Sequence, residues 1–532
     1  MHQWKNIFML EEKLGFMCYN GEEIKERGWK MGRKRCIIRK TPSRGWRKTA
    51  IFCAIGALTA LLIRLIFFQN SEIMWQDAAL EAASEGLTDY RVELRLIPEE
   101  SVLAISESIC YCNSTGDTLG SLMLRTWLNA FQSEETSPAA TEELYDACYP
   151  EGFSPGGLTV YNVEWNGQAA EHSFVNADET ALRIDIPELE PGESGTLFFR
   201  CLAKIPHCAF RTGYTEGCWQ LGNTLPLLSV YADGEWRTDT YYAIGDPFVN
   251  ECANFHITLE APEGYLPACS VPLEKEKDGL WRGELLAARD AALCVYEHAA
   301  MAKGQAGNTR ILSYAETAAE ARRALDGAKK ALETFSELYG EYLYPALSVC
   351  EVSFPFSGME YSALCMIGNG QYAENKADSL ELTVAHETAH QWFYALIGSD
   401  GVNQPWQDEA LAEYAMLRYV GKRYGQSSFE TLRYYRVDSA MMENVPGSPT
   451  PGSPISYYNN YQDYRTVVYG RGAALLLALD EFLPGGTDAF LRAYVKEFAF
   501  QFVTREQFES FLNSYSGLDA GPLLLDYLDT MT

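Results

Sequence analysis

The stretch HETAHQWFYALIGSDGVNQPWQDE, residues 386–409, decides how the chain is interpreted. It places His386 and His390 four positions apart, so on a helix both imidazoles project from the same face and can bind one metal ion. These are the only two histidines in residues 299–532, although the whole chain has seven. The spacing therefore predicts a metal site on a helix.

A third ligand is expected from Glu409, which follows His390 after 18 intervening residues. Pro405 suits the first turn of a second helix, which would present Glu409 to the two histidines. Two histidines and one glutamate with an open coordination position form a recurrent catalytic zinc arrangement. The sequence thus predicts one zinc ion per chain as the cofactor.

Glu387 lies beside the predicted metal-binding face of the helix. A zinc ion lowers the pKa of water at the site, and Glu387 is the natural general base for that water. Glu413, one turn after Glu409, is expected either to hold a ligand histidine in place or to be an exposed helix residue. Asp378 followed by Glu381 fits a capping box at the start of the zinc helix.

These motifs together resemble the aminopeptidase N-like family of zinc metallopeptidases, the gluzincins, which carry His-Glu-x-x-His followed by a glutamate after 18 intervening residues. Two more segments match: SGMEY, residues 357–361, is similar to the family's G-x-M-E-N motif. VVYGRGA, residues 467–473, is similar to its V-Y-x-K-G-A segment. The resemblance covers about residues 88–532, and this chain looks like a short, membrane-anchored member.

The resemblance implies further site residues. Glu360 would bind the free α-amine of a peptide substrate, with Gly358 and Met359 beside it in the substrate-binding motif. Tyr469 would stabilise the transition state, and Tyr464 is the next tyrosine to consider. Gln220 is a candidate for a second amine-binding residue, with a simple turn residue as the alternative.

The chain departs from the family pattern at three points. Tyr361 stands where the motif has asparagine, and Ser357 stands where it has its first glycine. The sequence stops about 60 residues after Tyr469, which leaves no room for the family's large C-terminal helical domain. We therefore expect a more open cleft than in longer members.

Charge and hydropathy divide the N-terminal part of the chain. Residues 1–48 hold 13 basic and five acidic side chains, which predicts a cytoplasmic tail. Residues 49–68, TAIFCAIGALTALLIRLIFF, are long and apolar enough to cross a hydrocarbon core of roughly 30 Å. The alternative is a cleaved signal peptide, which is favoured if Met31 is the true start. Residues 69–88 are expected to form a short stem.

Beyond the stem the sequence predicts two domains. Short alternating runs separated by turn residues, such as YRVELRLI at 90–97, predict an antiparallel β-sandwich over residues 89–302. Helical patterns dominate residues 303–532, beginning with a helix that ends at Gly340. The fold class is therefore multidomain α+β. The resemblance implies a saddle-like β domain followed by a thermolysin-like α+β zinc peptidase domain.

The predicted extracytoplasmic part, residues 69–532, carries 29 basic against 67 acidic side chains. Such a surface repels phosphate backbones, so no nucleic acid is expected as a partner. Eleven of the 14 cysteines lie in this part; they lack metal-ligand spacing, and several are expected to be buried thiols.

The sequence as a whole predicts a single-pass cell-membrane protein with a cytoplasmic N-terminus and an extracytoplasmic zinc aminopeptidase, which acts on peptides with a free N-terminus. The alternatives are a zinc endopeptidase of the same fold and a catalytically silent membrane-anchored binding protein. The oligomeric state stays open.

Overall fold

The structure is a computed structural model that describes residues 78–530, apart from the side chain of Glu374. The predicted tail at 1–48, the predicted transmembrane helix at 49–68 and the stem up to residue 77 lie outside the described residues. Among residues 78–530, no helix has the length and apolar character that a membrane crossing requires. The described chain opens in a helical segment, α1, that ends at residue 84.

The first half of the described chain is dominated by strands. They are β1 (Thr88–Ile97), β2 (Val102–Cys112), β3 (Leu119–Arg125), β4 (Gly157–Trp165), β5 (Gln168–Ala169), β6 (His172–Phe174), β7 (Ala181–Leu189), β8 (Ser194–Lys204), β9 (Thr212–Thr215), β10 (Cys218–Leu221), β11 (Leu227–Leu228), β12 (Tyr231–Ala232), β13 (Glu235–Trp236), β14 (Ala253–Glu260), β15 (Leu266–Cys269), β16 (Glu274–Lys277), β17 (Leu280–Ala288) and β18 (Leu293–Tyr296), with a short helix α2 (Tyr145–Cys148). An eight-stranded sheet has the order β16-β17-β14-β1-β2-β8-β4-β5. Two four-stranded sheets have the orders β15-β18-β10-β9 and β11-β3-β7-β6.

The alternating pattern of β1 matches the expectation for a half-buried strand. Its apolar residues are buried, while Arg91, Glu93 and Arg95 between them are exposed. The expectation of an antiparallel arrangement is wrong at one place, because β1 and β14 pair in parallel. Parallel strands need a long crossover connection, and the chain makes one through the strands that intervene. The eight-stranded sheet is therefore mixed.

The second half combines one sheet with a series of helices. Its strands are β19 (Ala300–Ala306), β20 (Thr309–Ala315), β21 (Ala346–Val352), β22 (Gly358–Tyr361) and β23 (Leu364–Gly368). Its helices are α3 (Ala318–Tyr339), α4 (Ala377–Ala389), α5 (Trp406–Tyr424), α6 (Gln426–Arg433), α7 (Ser439–Met442), α8 (Tyr461–Tyr464), α9 (Gly472–Phe482), α10 (Gly486–Phe498), α11 (Arg505–Ser516) and α12 (Gly521–Leu524). The strand order is β19-β20-β21-β23-β22, and the predicted α+β class is confirmed.

Helix α3 connects β20 to the parallel strand β21. Thr317 and Glu320 form a capping box at its start, and Gly340 with φ 114° ends it, which confirms the predicted end. Val384 of α4 packs against Gly327 of α3, where a side-chain carbon would come within 3.4 Å of it. This packing holds α4 against α3. The predicted domain limits, 89–302 and 303–532, stay predictions.

Candidate active site

Helices α4 and α5 bring the three predicted metal ligands together. The Nε2 atoms of His386 and His390 lie 3.2 Å apart, and Oε2 of Glu409 lies 3.3 Å from each of them. All three residues are buried, and their donor atoms lie within 4.8 Å of one another. Two imidazoles and a carboxylate converging on one point are a donor set that suits zinc, so these residues fit the expected ion.

The start of α4 differs from the expectation. Lys376 occupies the N-cap position without a side-chain cap hydrogen bond, so the capping box predicted from Asp378 and Glu381 is wrong. Glu381 instead accepts a hydrogen bond from Lys330 of α3 at 3.2 Å and another from the hydroxyl of Tyr419 of α5. Contacts with neighbouring helices, rather than a local cap, therefore position the zinc helix.

Each histidine also contacts a second carboxylate. Nδ1 of His390 lies 2.6 Å from Oδ1 of Asp408, and Nδ1 of His386 lies 3.4 Å from Oε2 of Glu413. Such carboxylates orient a ligand histidine and fix its tautomer. Glu413 was a sequence candidate for this role, whereas Asp408 was missed. Its only signal in the sequence is its place directly before Glu409.

Arg436 fixes the position of Glu413. Its Nε and Nη2 atoms lie 2.6 and 2.8 Å from the two carboxylate oxygens. Burial favours the neutral form of Glu413, but the guanidinium outweighs this effect and lowers the pKa of Glu413 to about 2. Glu413 is therefore an anion that faces His386 at any working pH.

Glu387 lies buried on the zinc helix, next to β22. Burial raises the pKa of Glu387 to about 7, and a general base works best with a pKa near the operating pH. A side-chain carbon on Gly358 would overlap the Glu387 carboxylate. Gly358 is therefore needed because the strand passes so close to this residue.

Glu360 lies on β22 with only 3% of the residue exposed. Its ligand atom lies within 4.8 Å of those of Glu387 and His390, and its Oε1 has no hydrogen-bond partner among the described residues. Burial raises the pKa of Glu360 well above its ordinary value. Met359, beside it, is buried in the core.

Tyr361, which replaces the expected asparagine, turns away towards the β-rich half. Its hydroxyl donates a hydrogen bond to Oδ1 of Asn223 at 2.9 Å. The same hydroxyl lies against Gly222, where a side-chain carbon would overlap it. This contact brings β22, with Glu360, next to the end of β10, with Gln220.

Tyr469 lies over the ligands, in the π-helical segment Arg465–Arg471. Its hydroxyl donates a hydrogen bond of 2.5 Å to Oε1 of Glu409, and its ring stacks on His386 with centroids 5.6 Å apart. A side-chain carbon on Gly472 would come within 2.6 Å of Ala410 of α5. Gly472 therefore allows this segment to approach the ligand helix closely.

Comparisons with known proteins agree with this geometry. Residues 323–527 match the Peptidase family M1 domain. Leukotriene A-4 hydrolase of Xenopus laevis is 29% identical over 201 residues, which cover 35% of this chain and 32% of the relative. Aminopeptidase N of Streptomyces lividans is 23% identical over 402 residues, which cover 70% of this chain and 45% of the relative. The chain spans less than half the length of these curated relatives.

A solved structure matches over more of the chain. The M1 zinc metallopeptidase of Deinococcus radiodurans has a TM-score of 0.58 and 17% identity, covering 84% of this chain and 96% of that one. At this identity the likeness shows the fold. The comparisons confirm the resemblance to zinc metallopeptidases that the motifs indicated, and with it the prediction of a zinc-dependent enzyme domain.

Proposed function

We propose that this chain, whose residues 323–527 carry a Peptidase family M1 domain, is a zinc-dependent aminopeptidase that removes N-terminal residues from peptides. The observation that carries the proposal is the buried carboxylate of Glu360 beside Glu387 and His390. A substrate ammonium paired with Glu360 would place the first peptide bond of the substrate next to the base and the metal ligands. Charge-assisted pairs of this kind are among the stronger hydrogen bonds.

Gln220 supports the same amine subsite. Its Nε2 donates hydrogen bonds to the carbonyl oxygens of Phe210 at 2.5 Å and Ser353 at 2.7 Å. Its Oε1 is buried and has no partner among the described residues, as is also true of Oε1 of Glu360. An ammonium group has three N–H donors, and these two acceptors can satisfy two of them.

The chemistry divides among the residues of the site. When zinc is bound by His386, His390 and Glu409, it supplies a Lewis acid that polarises the peptide carbonyl and lowers the pKa of water. Glu387 takes a proton from the attacking water and returns it to the leaving amine. The Tyr469 hydroxyl donates a hydrogen bond to the carbonyl oxygen as negative charge develops on it, an interaction that is strongest in the transition state.

The test is a panel of aminoacyl reporter substrates, measured with and without a chelator, beside N-acetylated peptides of the same sequences. We expect chelator-sensitive hydrolysis of the free-amine substrates alone. Glu360→Gln should lower their kcat/KM by at least tenfold with zinc retained, whereas Glu337→Gln at an exposed site of α3 should leave it unchanged. Equal hydrolysis of acetylated and free peptides would overturn the aminopeptidase proposal in favour of an endopeptidase.

The proposal includes a single-pass membrane anchor at residues 49–68, with the peptidase outside the cytoplasm. It rests on the sequence alone, namely the 20-residue apolar run and the basic flank before it. Protease treatment of intact cells tests it. We expect residues 78–530 to be digested while an epitope placed at the N-terminus stays protected, and full protection of residues 78–530 would contradict it.

A further inference from the structure

An ion pair between Arg211 and Asp246 lies beside the site, although both residues come from the β-rich half and belong to none of the motifs. Arg211 directly precedes β9, and Asp246 lies in the segment between β13 and β14. Arg211 is buried, and its guanidinium donates to Oδ1 of Asp246. The rings of Phe210 and Phe248 each lie 5.2 Å from the guanidinium.

Backbone contacts place this pair between two parts of the site. On one side, the N–H of Gly222 donates to the carbonyl oxygen of Arg211 at 3.0 Å, and Gly222 touches the hydroxyl of Tyr361. On the other side, a side-chain carbon on Gly245 would lie 3.2 Å from the hydroxyl of Tyr464. Tyr361 follows Glu360 directly in the chain.

Tyr464 is connected to the metal ligands through Tyr469. The ring of Tyr464 lies 5.8 Å from the ring of Tyr469, and the hydroxyl of Tyr469 donates to Glu409. Gly245, the residue directly before Asp246, therefore lies next to a tyrosine that packs against Tyr469.

Asp246 is close enough to act on the charges of the site. Burial is the largest cause of the raised pKa of Glu360, and the carboxylate of Asp246 is one of several acidic groups that raise it further. The same two causes act in the same direction on the pKa of Glu387. Asp246 therefore lies within electrostatic reach of both residues.

The Asp246 carboxylate keeps the capacity to accept another hydrogen bond. Its Oδ1 accepts from Arg211, whereas Oδ2 receives no hydrogen bond from the described residues. The side chain is 19% exposed, in contrast to the 6% of Arg211. Arg211 thus holds the carboxylate in place from the buried side and leaves one oxygen open.

The formal charges around the site favour a second positive charge on the substrate. Six carboxylates surround it, namely Asp246, Glu360, Glu387, Asp408, Glu409 and Glu413, together with the guanidinium groups of Arg211 and Arg436. Acidic groups therefore outnumber guanidinium groups around the site, and this excess favours a cationic side chain on the substrate over a neutral one.

We infer that Asp246 selects peptides whose N-terminal residue is lysine or arginine, by accepting a hydrogen bond from the cationic end of that side chain. Glu360 and Gln220 already offer acceptors to the α-ammonium, so Asp246 is available for a second cation. The inference rests on the proposed aminopeptidase function. It names the substrate class of the same site.

The unaltered protein gives the first test, through lysyl and norleucyl reporter substrates. The two side chains have equal carbon chains, but norleucine lacks the terminal ammonium. We expect kcat/KM to be at least tenfold higher for the lysyl substrate. A norleucyl substrate that is hydrolysed equally well or better would overturn the assignment.

The variant Asp246→Asn gives the second test. We expect the lysyl-to-norleucyl ratio of kcat/KM to fall at least tenfold in it. Asp185→Asn removes an exposed partner of Arg183 on β7 and should keep the wild-type ratio. An Asp246→Asn protein that keeps the wild-type ratio would contradict the inference, as would an equal loss on both substrates.

Binding gives a readout that needs neither turnover nor a stable Asp246 variant. Calorimetry on zinc-loaded Glu387→Gln protein compares lysinamide with norleucinamide, and we expect lysinamide to bind at least tenfold more tightly. If the protein hydrolyses no free-amine substrate, the proposed function fails, and this comparison still decides the role of Asp246. Equal binding of the two amides would overturn it.

Discussion

The Nδ1 atom of His390 lies 2.6 Å from Oδ1 of Asp408, the residue directly before the predicted metal ligand Glu409. One helix therefore supplies both a ligand and the carboxylate that orients another ligand. The 3.4 Å contact between His386 and Glu413 adds a second carboxylate from the same helix, one turn further on. Helix α5 thus supplies the third donor and places a carboxylate beside each histidine.

Asp408→Asn should weaken zinc binding, because an amide can accept the hydrogen bond but supplies no negative charge to orient and polarise His390. Loss of such a carboxylate typically costs 10- to 100-fold in metal affinity or activity. Competition with a chelator of known affinity measures the change. Asp378→Asn, at an exposed position of α4, is the control and should bind zinc like the wild type. Unchanged affinity in Asp408→Asn would remove it from the site.

Glu387→Gln should retain zinc while losing turnover. The amide keeps the shape of the side chain but cannot take a proton from water, and general bases contribute roughly 10²- to 10⁴-fold. Zinc content and hydrolysis of a leucyl substrate, measured on one preparation, test this. Glu430→Gln, on α6, is the matched control. Near-normal turnover would move the base role to another residue.

Tyr469→Phe removes only the hydroxyl that donates to Glu409 in this structure. If that hydroxyl serves the carbonyl oxygen during reaction, kcat should fall about 10²-fold with KM little changed. Steady-state kinetics at saturating zinc measure both constants. Tyr457→Phe, an exposed tyrosine before α8, should behave like the wild type. A normal kcat in Tyr469→Phe would make Tyr464 the next residue to test.

The buried Glu107 of β2 should make the stability of the folded protein depend on pH, independently of zinc. It is 0% exposed, neither carboxylate oxygen has a partner among the described residues, and burial raises its pKa well above the ordinary value. The folded state therefore binds the proton of the Glu107 carboxyl group more tightly than the unfolded state does. The stability that this difference gives the folded state is fully present below the ordinary pKa of a glutamate and is lost as the pH rises towards the pKa of Glu107 in the folded state.

Glu107→Gln removes the titrating group, so the variant should not lose stability as the pH rises. We expect it to unfold at a higher urea concentration than the wild type at pH 8, and the difference between the two proteins should be smaller at pH 5. Each unit by which the pKa is raised corresponds to about 1.4 kcal/mol in the free energy of unfolding. Urea unfolding at both pH values measures it, with the exposed Glu93→Gln of β1 as control. A variant that is less stable than the wild type by the same amount at both values would contradict the prediction.

The sequence was most informative where spacing along one helix determines which side chains meet. His386 and His390 share a helix face, and the structure brings Glu409 to them from a helix whose first turn Pro405 indicated. The long helix that ends at Gly340 was predictable for the same reason. Local periodicity is enough for features of this kind.

Other features depend on contacts between distant segments, which a single sequence does not reveal. Glu381 fits a local capping box, but Lys330 and Tyr419 from two other helices bind its carboxylate instead. The parallel pairing of β1 with β14 depends on the long connection between them. Arg211 and Asp246 belong to no motif and meet only through tertiary packing.

The most direct measurement is a zinc titration of chelator-treated protein, in which bound zinc and hydrolysis of a leucyl reporter substrate are followed together. The account predicts that activity rises in proportion to bound zinc and reaches its plateau at about one ion per chain. His390→Ala should neither bind zinc at this site nor hydrolyse the substrate. Full activity without zinc, or full zinc retention by His390→Ala, would contradict the account.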